Sequence, residues 1–310
     1  MMKRFFLISL ISLFLWSCGD DDEDFELIPP RPLTEVALEN DADIITFLQT
    51  HFYNADEFEN PPTDFDFRIR IDTIAGENSD RRPLMDDVQS EVFTVSASDF
   101  NLDENVENVP HTLYYLIARE GSGARPTFTD STFVRIQGTN LEGDAFQPFN
   151  VQPVWFDLTA TVRGFTEGMT NLMAGGNIIE NPDGTFEVED YGIGLVILPS
   201  GLGFFNNSNT NLPAFSAGLF TIDLFSTVVN TDHDNDGIPS FLEDLNNDRI
   251  VANDNTDADI EIFGFQPNFL DPDDDDDGIL TRDEIIINAD GTITFPDSDG
   301  DGTPDYLDND

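Results

Sequence analysis

The chain has 310 residues, which gives room for one or two domains with a hydrophobic core. It contains 62 acidic and 13 basic residues, and its net charge of −49 disfavours nucleic acids and anionic membrane surfaces as partners. The hydrophobic fraction of 39%, with 28 Phe residues, excludes a chain that is disordered throughout. A single cysteine, Cys18, excludes a framework of disulfide bonds.

The beginning of the chain has the pattern of a secretory signal. Two basic residues precede an apolar stretch over residues 5–16, and a Ser and Cys18 follow. The stretch is too short to span a bilayer, which favours a signal peptide; a short buried helix is the alternative. The sequence at 15–18, Leu-Trp-Ser-Cys, resembles a bacterial lipobox. This resemblance implies that residues 1–17 are removed and that Cys18 is acylated.

An acidic tether follows the cysteine. Residues 18–33 contain an acidic run at 20–24 and three prolines, a composition typical of an extended, solvated spacer. Such a run directly after a lipidated cysteine also resembles a surface-export signal of some Gram-negative lineages. We therefore expect an outer-membrane lipoprotein of the cell envelope, periplasmic or surface-exposed, that contacts the membrane through its lipid anchor only.

Residues 34–111 predict an N-terminal α+β region whose role the sequence does not indicate. Apolar residues recur at helical spacing from Asp41 to residue 53, which predicts a helix there. Residues 65–71 alternate between apolar and polar side chains, which predicts a short strand.

Residues 112–228 carry the strongest signals for strands. A helix is predicted from Arg163 to a C-terminal stop at Gly175. The predicted strands cover residues 112–119, 132–138, 192–198 and 219–225. Several strands with one helix predict an α+β fold in which an antiparallel sheet wraps around one short helix.

Six motifs in this region resemble, in order and spacing, those of the FKBP-type peptidyl-prolyl cis-trans isomerases. They are Gly-Ser-Gly-Ala-Arg-Pro at 121–126, Val-Arg-Ile-Gln-Gly at 134–138 with Phe146 beyond it, Thr-Val-Arg-Gly-Phe-Thr-Glu-Gly-Met at 161–169, Leu-Pro-Ser-Gly-Leu-Gly-Phe at 198–204, Leu212-Pro213, and Phe-Thr-Ile-Asp-Leu at 220–224. The resemblance implies an FKBP-like domain over 112–228 that isomerises proline-containing protein or peptide clients.

The same resemblance implies a catalytic site without a nucleophile or a metal. Its walls would be Phe146, Phe165, Phe204, Leu212 and Phe220, with Phe165 as the floor. The backbone N–H of Val162 would receive the substrate carbonyl. The alternative is that these Phe residues are ordinary core, because apolar periodicity does not distinguish a core from a pocket.

The chain departs from the family pattern at three polar positions and in one loop. Ile136 and Phe204 stand where the family has Tyr, and Gln147 stands where it has Asp. Residues 179–191 form an insertion after the helix. The loss of three polar groups favours a second hypothesis, a non-catalytic surface binding or structural protein on a degenerate FKBP fold.

The region from 229 to 310 repeats a frame of acidic residues three times. Each copy has Asp at positions 1, 3 and 5, Gly at position 6 and an acidic residue at position 12. The ligands that these frames predict are Asp232, Asp234, Asp236 and Glu243; Asp273, Asp275, Asp277 and Glu284; and Asp297, Asp299, Asp301 and Asp308. Calcium prefers six to eight oxygen ligands, and this spacing wraps them around one ion, so we expect structural calcium sites.

These frames differ from paired EF-hands. Pro239 and Pro304 occupy position 8, where an EF-hand pair uses a backbone N–H that proline lacks. Degenerate acidic pieces at 244–248 and 254–259 lie between the copies. This tiling resembles thrombospondin type 3 repeats, which implies a segment that winds around calcium ions with almost no apolar core.

Overall fold

The computed structural model describes residues 31–102, 108–183, 186–256 and 264–309. The predictions for the signal peptide, Cys18 and most of the tether therefore lie outside the described residues. The helices are α1 (Leu33–Thr50), α2 (Ala55–Glu59), α3 (Arg163–Met169) and α4 (Thr281–Glu284). The strands are β1 (His51–Tyr53), β2 (Ile71–Thr73), β3 (Gln89–Val95), β4 (Val109–Arg119), β5 (Ser131–Thr139), β6 (Ala145–Gln147), β7 (Val154–Asp157), β8 (Ile178–Glu180), β9 (Phe186–Val188), β10 (Gly192–Leu198), β11 (Gly218–Val228), β12 (Ile286–Ile287) and β13 (Ile293–Thr294).

Within the described residues, seven strands form one antiparallel sheet in the order β3-β4-β10-β11-β5-β6, and β7 pairs with β5 beside β6. The helix α3 packs on this sheet against β10 and β4. The predicted α+β fold, with an antiparallel sheet and one short helix on it, is confirmed.

The central strand β10 explains why both faces of the sheet are covered. All seven of its residues are buried, and alternate side chains point to opposite faces. Leu195 and Ile197 pack with Ile44 of α1, whereas Val196 and Leu198 belong to the core that contains α3. The sheet therefore lies between α3 and the part of α1 that contains Ile44.

The N-terminal region contributes more to the core and to the sheet than the sequence indicated. Helix α1 begins at Leu33 rather than near Asp41, because Leu33, Val36 and Ala37 of its first turns are buried in the main core. The strand expected at 65–71 is wrong except at Ile71, where strand β2 (Ile71–Thr73) begins. Strand β3 pairs along β4 from Gln89 to Val95, so the N-terminal part of the chain completes the sheet.

Helix α3 is shorter than predicted, since it ends at Met169 rather than near Gly175. The backbone beyond it is held by neighbouring segments. The N–H of Ala174 donates to the carbonyl of Ala124 at 2.7 Å, and the N–H of Gly175 donates to the carbonyl of Phe225 at 3.0 Å. These bonds replace the continued helical hydrogen bonds that the sequence pattern predicts.

The acidic segment (residues 229–309) has little regular structure. Its core contains three buried apolar side chains, Ile238, Ile285 and Tyr306. The short hairpin of β12 and β13 lies beside them. Among the described residues, no helix is both long enough and apolar enough to cross a membrane.

Candidate functional site

Four of the predicted wall residues form a chain of ring contacts on the sheet. Phe165 lies in the first turn of α3, and its ring centroid is 5.3 Å from that of Phe220 on β11. Phe220 lies 5.5 Å from Phe146 of β6, which in turn lies 5.8 Å from Phe204. The interplanar angles of 73–89° are edge-to-face arrangements, which aromatic pairs favour.

A fifth ring, which the sequence reading did not include, joins this aromatic cluster. Phe156 of β7 contacts Phe165 edge-to-face at 6.0 Å. Its signal in the sequence is weak, because β7 is only four residues long. We define the aromatic cluster as Phe146, Phe156, Phe165, Phe204 and Phe220.

Most of the aromatic cluster is covered by the protein. Phe165 is 3% exposed, Phe220 is 5% exposed and Phe146 is 9% exposed, whereas Phe204 is half-buried. Leu212, the remaining predicted wall residue, is buried in the same core. Phe156 is also half-buried. The cluster is thus continuous with the main core, and Phe204 and Phe156 are its accessible edges.

Val162 places a backbone donor at the start of α3. It is the N-cap residue, and its carbonyl accepts from the N–H groups of Phe165 and Thr166. Its own N–H donates to no acceptor among the described residues, as is common for the first N–H groups of a helix. An incoming carbonyl oxygen would satisfy this donor within one helical turn of Phe165.

The positions that depart from the family pattern add no polar group to the cluster. Ile136 is buried in β5. Gln147 is exposed, next to buried Phe146 in an alternating strand, so its side chain lies on the opposite face of β6. Phe204 has no hydroxyl group at the accessible edge.

The acidic segment contains a second kind of site, built from carboxylates. In each of four groups, one oxygen from every member lies within 4.8 Å of the others. The groups are Asp234, Asp236, Glu243 and Asp274; Asp244, Asp248 and Asp254; Asp273, Asp275 and Asp277; and Asp297, Asp299 and Asp301. Oxygens at 2.3–2.6 Å from one calcium ion would be about 5 Å apart at most, so these separations suit a shared ion.

In two frames, the first residue makes hydrogen bonds within its own loop. Asp232 accepts from the N–H groups of Asn235 and Gly237 at 2.8 and 3.1 Å. Asp297 accepts in the same way from Gly300 and Gly302 at 2.7 and 3.1 Å. These carboxylates shape the loop, and Asp297 also belongs to a group, whereas Asp232 lies outside the first group.

Glu284, the last predicted ligand of the second frame, lies near the carboxylates of Asp275 and Asp277. Burial, followed by the charges of Asp275 and Asp277, raises the pKa of Glu284 to about 7. Its Oε2 is buried and has no hydrogen-bond partner among the described residues. Asp308, the last predicted ligand of the third frame, lies outside that frame's group.

Asp274 joins the first group from the second frame, which the spacing did not indicate. It is 1% exposed, and neither of its carboxylate oxygens has a hydrogen-bond partner among the described residues. Both oxygens of Glu243 are in the same condition. The first group is therefore made by two frames that are about 40 residues apart in sequence.

The electrostatics of the first group call for a neutralising charge. Burial, with repulsion by Asp234 and Asp236 next, raises the pKa of Glu243 to about 9. Burial and then the charge of Glu243 raise the pKa of Asp274 to about 10. Buried carboxylates without donors are costly, and a hard cation with an oxygen-only shell would offset that cost. The donor set fits calcium.

Comparisons with known proteins find two separate similarities. Residues 233–296 match the protein family described as BamM C-terminal. An 81-residue stretch, 26% of this chain, is 30% identical to the FKBP-type peptidyl-prolyl cis-trans isomerase FkpA of Escherichia coli K12. That stretch spans 30% of the length of FkpA.

Solved structures of isomerases also resemble part of the chain. A peptidyl-prolyl cis-trans isomerase of Pseudomonas syringae pv. tomato aligns with 20% identity and a TM-score of 0.31, covering 37% of this chain and 74% of its own. FkpA from Escherichia coli aligns with 20% identity and a TM-score of 0.30, covering 43% of this chain and 51% of its own.

Proposed function

We propose that this chain is a peptidyl-prolyl cis-trans isomerase or folding helper of the cell envelope, with a calcium-stabilised C-terminal segment. The observation that carries the proposal is the aromatic cluster beside the unpaired N–H of Val162. The similarity to a protein named as an FKBP-type isomerase supports it.

The chemistry needs rotation about one C–N bond. An X–Pro amide isomerises slowly because that bond has partial double-bond character. Apolar rings that exclude water disfavour the charge-separated planar amide, and an N–H at the substrate carbonyl fixes its position. Phe165, Phe204 and Val162 would supply these functions, and the clients would be proline-containing proteins or peptides.

A proline-peptide isomerisation assay tests this proposal. The protein should be the chain from residue 19 onward, because β3 extends the sheet and α1 packs on it, and a 112–228 fragment would lose both. Phe165→Leu should stay folded and isomerise the peptide at least tenfold more slowly. Phe225→Leu is the matched control, since Phe225 is also a buried ring of the sheet but lies outside the aromatic cluster. Equal rates for the two variants would contradict a role for Phe165.

The second candidate function is non-catalytic binding on the same fold. It is favoured by the 3% exposure of Phe165 and by the absence of a hydroxyl group at Phe204. On this hypothesis the folded wild type shows no isomerase activity. Phe204→Tyr, which restores a hydroxyl group at the half-buried edge of the aromatic cluster, tests whether the loss of that group explains the inactivity. Isomerase activity of the wild type would contradict this hypothesis.

We further propose that the acidic segment binds structural calcium. The support is the set of buried carboxylate oxygens that lack donors, on Glu243, Asp274 and Asp275 among others. Metal binding of this kind would contribute to folding, since the carboxylates converge only in the ordered segment.

We also propose that a lipid on Cys18 anchors the protein to the outer membrane. Cys18→Ser should move the protein from the membrane fraction to the soluble fraction, because the acyl chains are the proposed contact with the bilayer. Wild-type protein that is soluble without detergent after secretion would exclude the anchor.

A further inference from the structure

The carboxylate group of Asp244, Asp248 and Asp254 lies in a fourth loop that shares two internal hydrogen bonds with the first and third predicted frames. Asp244 accepts from the N–H groups of Asp248 and Arg249 at 3.1 and 2.9 Å. Asp248 accepts from the N–H of Ile250 at 2.8 Å. Counted from Asp244, the bonds from Arg249 and Ile250 are those that the first and fifth positions accept in the third frame, whereas the bond from Asp248 has no counterpart there. We call residues 244–255 the fourth loop.

One carboxylate of the fourth loop points to a missing ligand. Asp254 is 5% exposed, and its Oδ2 has no hydrogen-bond partner among the described residues. Its Oδ1 accepts from the side-chain amide of Asn246 at 3.1 Å. One carboxylate oxygen of Asp254 lies within 4.8 Å of carboxylate oxygens of Asp244 and Asp248. A buried carboxylate oxygen without a donor is rare, and a cation would satisfy it.

The sixth position of the fourth loop distinguishes it from the others. The predicted frames have Gly237, Gly278 and Gly302 there, with φ between +95° and +108°. The fourth loop has Arg249 at φ +65°, in a region that L-residues avoid. A side chain at a position with positive φ, where the other three loops have glycine, suggests a role for that side chain.

Arg249 uses its side chain to reach helix α3. Its Nη2 lies 2.7 Å from Oε2 of Glu167, which is fully buried, and it donates to Oγ1 of Thr170 at 3.0 Å. At the other end of the helix, Arg163 donates to the carbonyl of Asp248 at 3.2 Å. The fourth loop therefore holds the start, the middle and the end of α3.

The apolar contacts between the two parts are incomplete. A cavity of about 130 Å³ lies between α3 and the loop, lined by Phe128, Leu158 and Thr166 on one side and by Ile250 and Val251 on the other. The attachment of α3 to the loop thus depends strongly on the polar contacts of Arg249 and Arg163.

We propose that a calcium ion bound by Asp244, Asp248 and Asp254 clamps helix α3 to the acidic segment through Arg249. The ion holds the fourth loop closed, and the closed loop fixes the Arg249 side chain on Glu167. Because a ligand that binds the ordered loop also stabilises what the loop contacts, calcium stabilises α3. Helix α3 carries Phe165 and follows Val162, so the clamp would set the geometry of the aromatic cluster; this consequence rests on the proposed isomerase function.

Hydrogen exchange of the α3 backbone, measured on the chain from residue 19 onward in calcium chloride and in EDTA, tests the clamp. In the wild type, calcium should slow exchange at residues 163–170 at least tenfold. Asp254→Asn should bind one calcium fewer by titration calorimetry and lose this protection. Asp299→Asn is the matched control, because it removes a carboxylate from the group at Asp297, Asp299 and Asp301, which is exposed; it should lose an ion and keep the protection.

Arg249→Gly tests whether the Arg249 side chain connects the calcium site to α3. This loop then has the residue that the other frames have, so it should bind calcium with unchanged stoichiometry and lose the protection of α3. Arg249→Gly combined with Glu167→Gln removes the buried charge together with its partner, and it should still show no calcium response in α3. The clamp is overturned if either Arg249 variant keeps the calcium-dependent protection, or if Asp254→Asn binds as many ions as the wild type. An inactive wild type with a protected α3 would reject the isomerase function and retain the clamp.

Discussion

At the scale of single residues, burial decides which polar groups are sensitive to pH. His111 of β4 is 2% exposed, and its Nδ1 lies 3.0 Å from the carbonyl of Val109, which assigns the proton to Nδ1. Its Nε2 has no partner among the described residues and faces the backbone of Gly201. Burial, opposed by the Val109 hydrogen bond and assisted by the nearby charge of Arg163, lowers the pKa of His111.

This lowered pKa predicts a loss of stability in mild acid. Below pH about 6.5, the usual pKa of histidine, His111 is protonated in the unfolded chain but still neutral in the folded protein. The free energy of unfolding therefore falls as the pH falls. In saturating calcium, the free energy of unfolding of the wild type, relative to that of His111→Asn, should fall by up to about 1.4 kcal/mol per pH unit below 6.5. Urea unfolding at several pH values between 5 and 7.5 measures this. Parallel pH profiles for the two proteins would contradict it.

At the scale of elements, the close approach of α3 to β10 depends on glycine. A Cβ added at Gly168 would lie 2.6 Å from both Cγ atoms of Val196. A seven-residue helix has few contacts to give up, and this one carries Phe165. The sequence pattern indicates a helix here, but it does not show that the glycine faces the sheet.

The contact reverses the usual effect of replacing glycine in a helix. Alanine normally stabilises a helix interior by about 0.5–1 kcal/mol relative to glycine. Overpacking costs about 1–3 kcal/mol, so Gly168→Ala should lower the free energy of unfolding by about 1–2 kcal/mol. Gly218→Ala is the control, because its added Cβ would meet Phe146 at an ordinary 3.6 Å, and we expect a change within about 0.5 kcal/mol. Denaturant unfolding distinguishes the two, and a stabilised Gly168→Ala protein would show that β10 yields at Val196.

At the scale of the whole molecule, the acidic segment balances charge repulsion against a very small apolar core. Its described residues include five buried apolar side chains, Ile238, Val251, Phe269, Ile285 and Tyr306, whereas its carboxylates converge in four groups. Like charges at such distances destabilise a compact segment unless a cation or protons neutralise them. The order of this segment should therefore follow calcium.

Removing calcium should expand the segment and expose it to proteases. Limited proteolysis in EDTA should cut within residues 229–309 at least tenfold faster than in calcium chloride, because an unneutralised segment with little apolar area cannot stay compact. Asp273→Ala, Asp275→Ala and Asp277→Ala together should remove one of the four groups, loosen its neighbours and raise the cutting rate in calcium above that of the wild type. A control with Asp64→Ala, Glu77→Ala and Asp80→Ala removes three exposed carboxylates from outside the segment and should leave the rate unchanged. Equal cutting with and without calcium would contradict the metal-dependent order.

The sequence by itself determined the features that depend on local periodicity. The alternation of apolar residues located β4, β5 and β11, and the apolar run at 192–198 located β10. The spacing of Asp with Gly located the three acidic frames, because each loop is shaped by bonds between residues two to five positions apart. The order of short motifs placed Phe146, Phe165, Phe204 and Phe220 together, and their rings do meet.

The tertiary structure alone decided the features that join distant residues. Asp274 meets Glu243, Arg249 meets Glu167, and β3 pairs with β4 to complete the sheet. None of these contacts produces a periodic pattern in the sequence, because each depends on how packed elements approach one another. The path of the chain beyond α3 is of the same kind, since Ala174 and Gly175 are held by hydrogen bonds to Ala124 and Phe225. Local sequence patterns therefore specified the main strands of the sheet and the acidic frames. Packing decided that Arg249 and the carboxylates of its loop lie beside α3, the helix that carries Phe165.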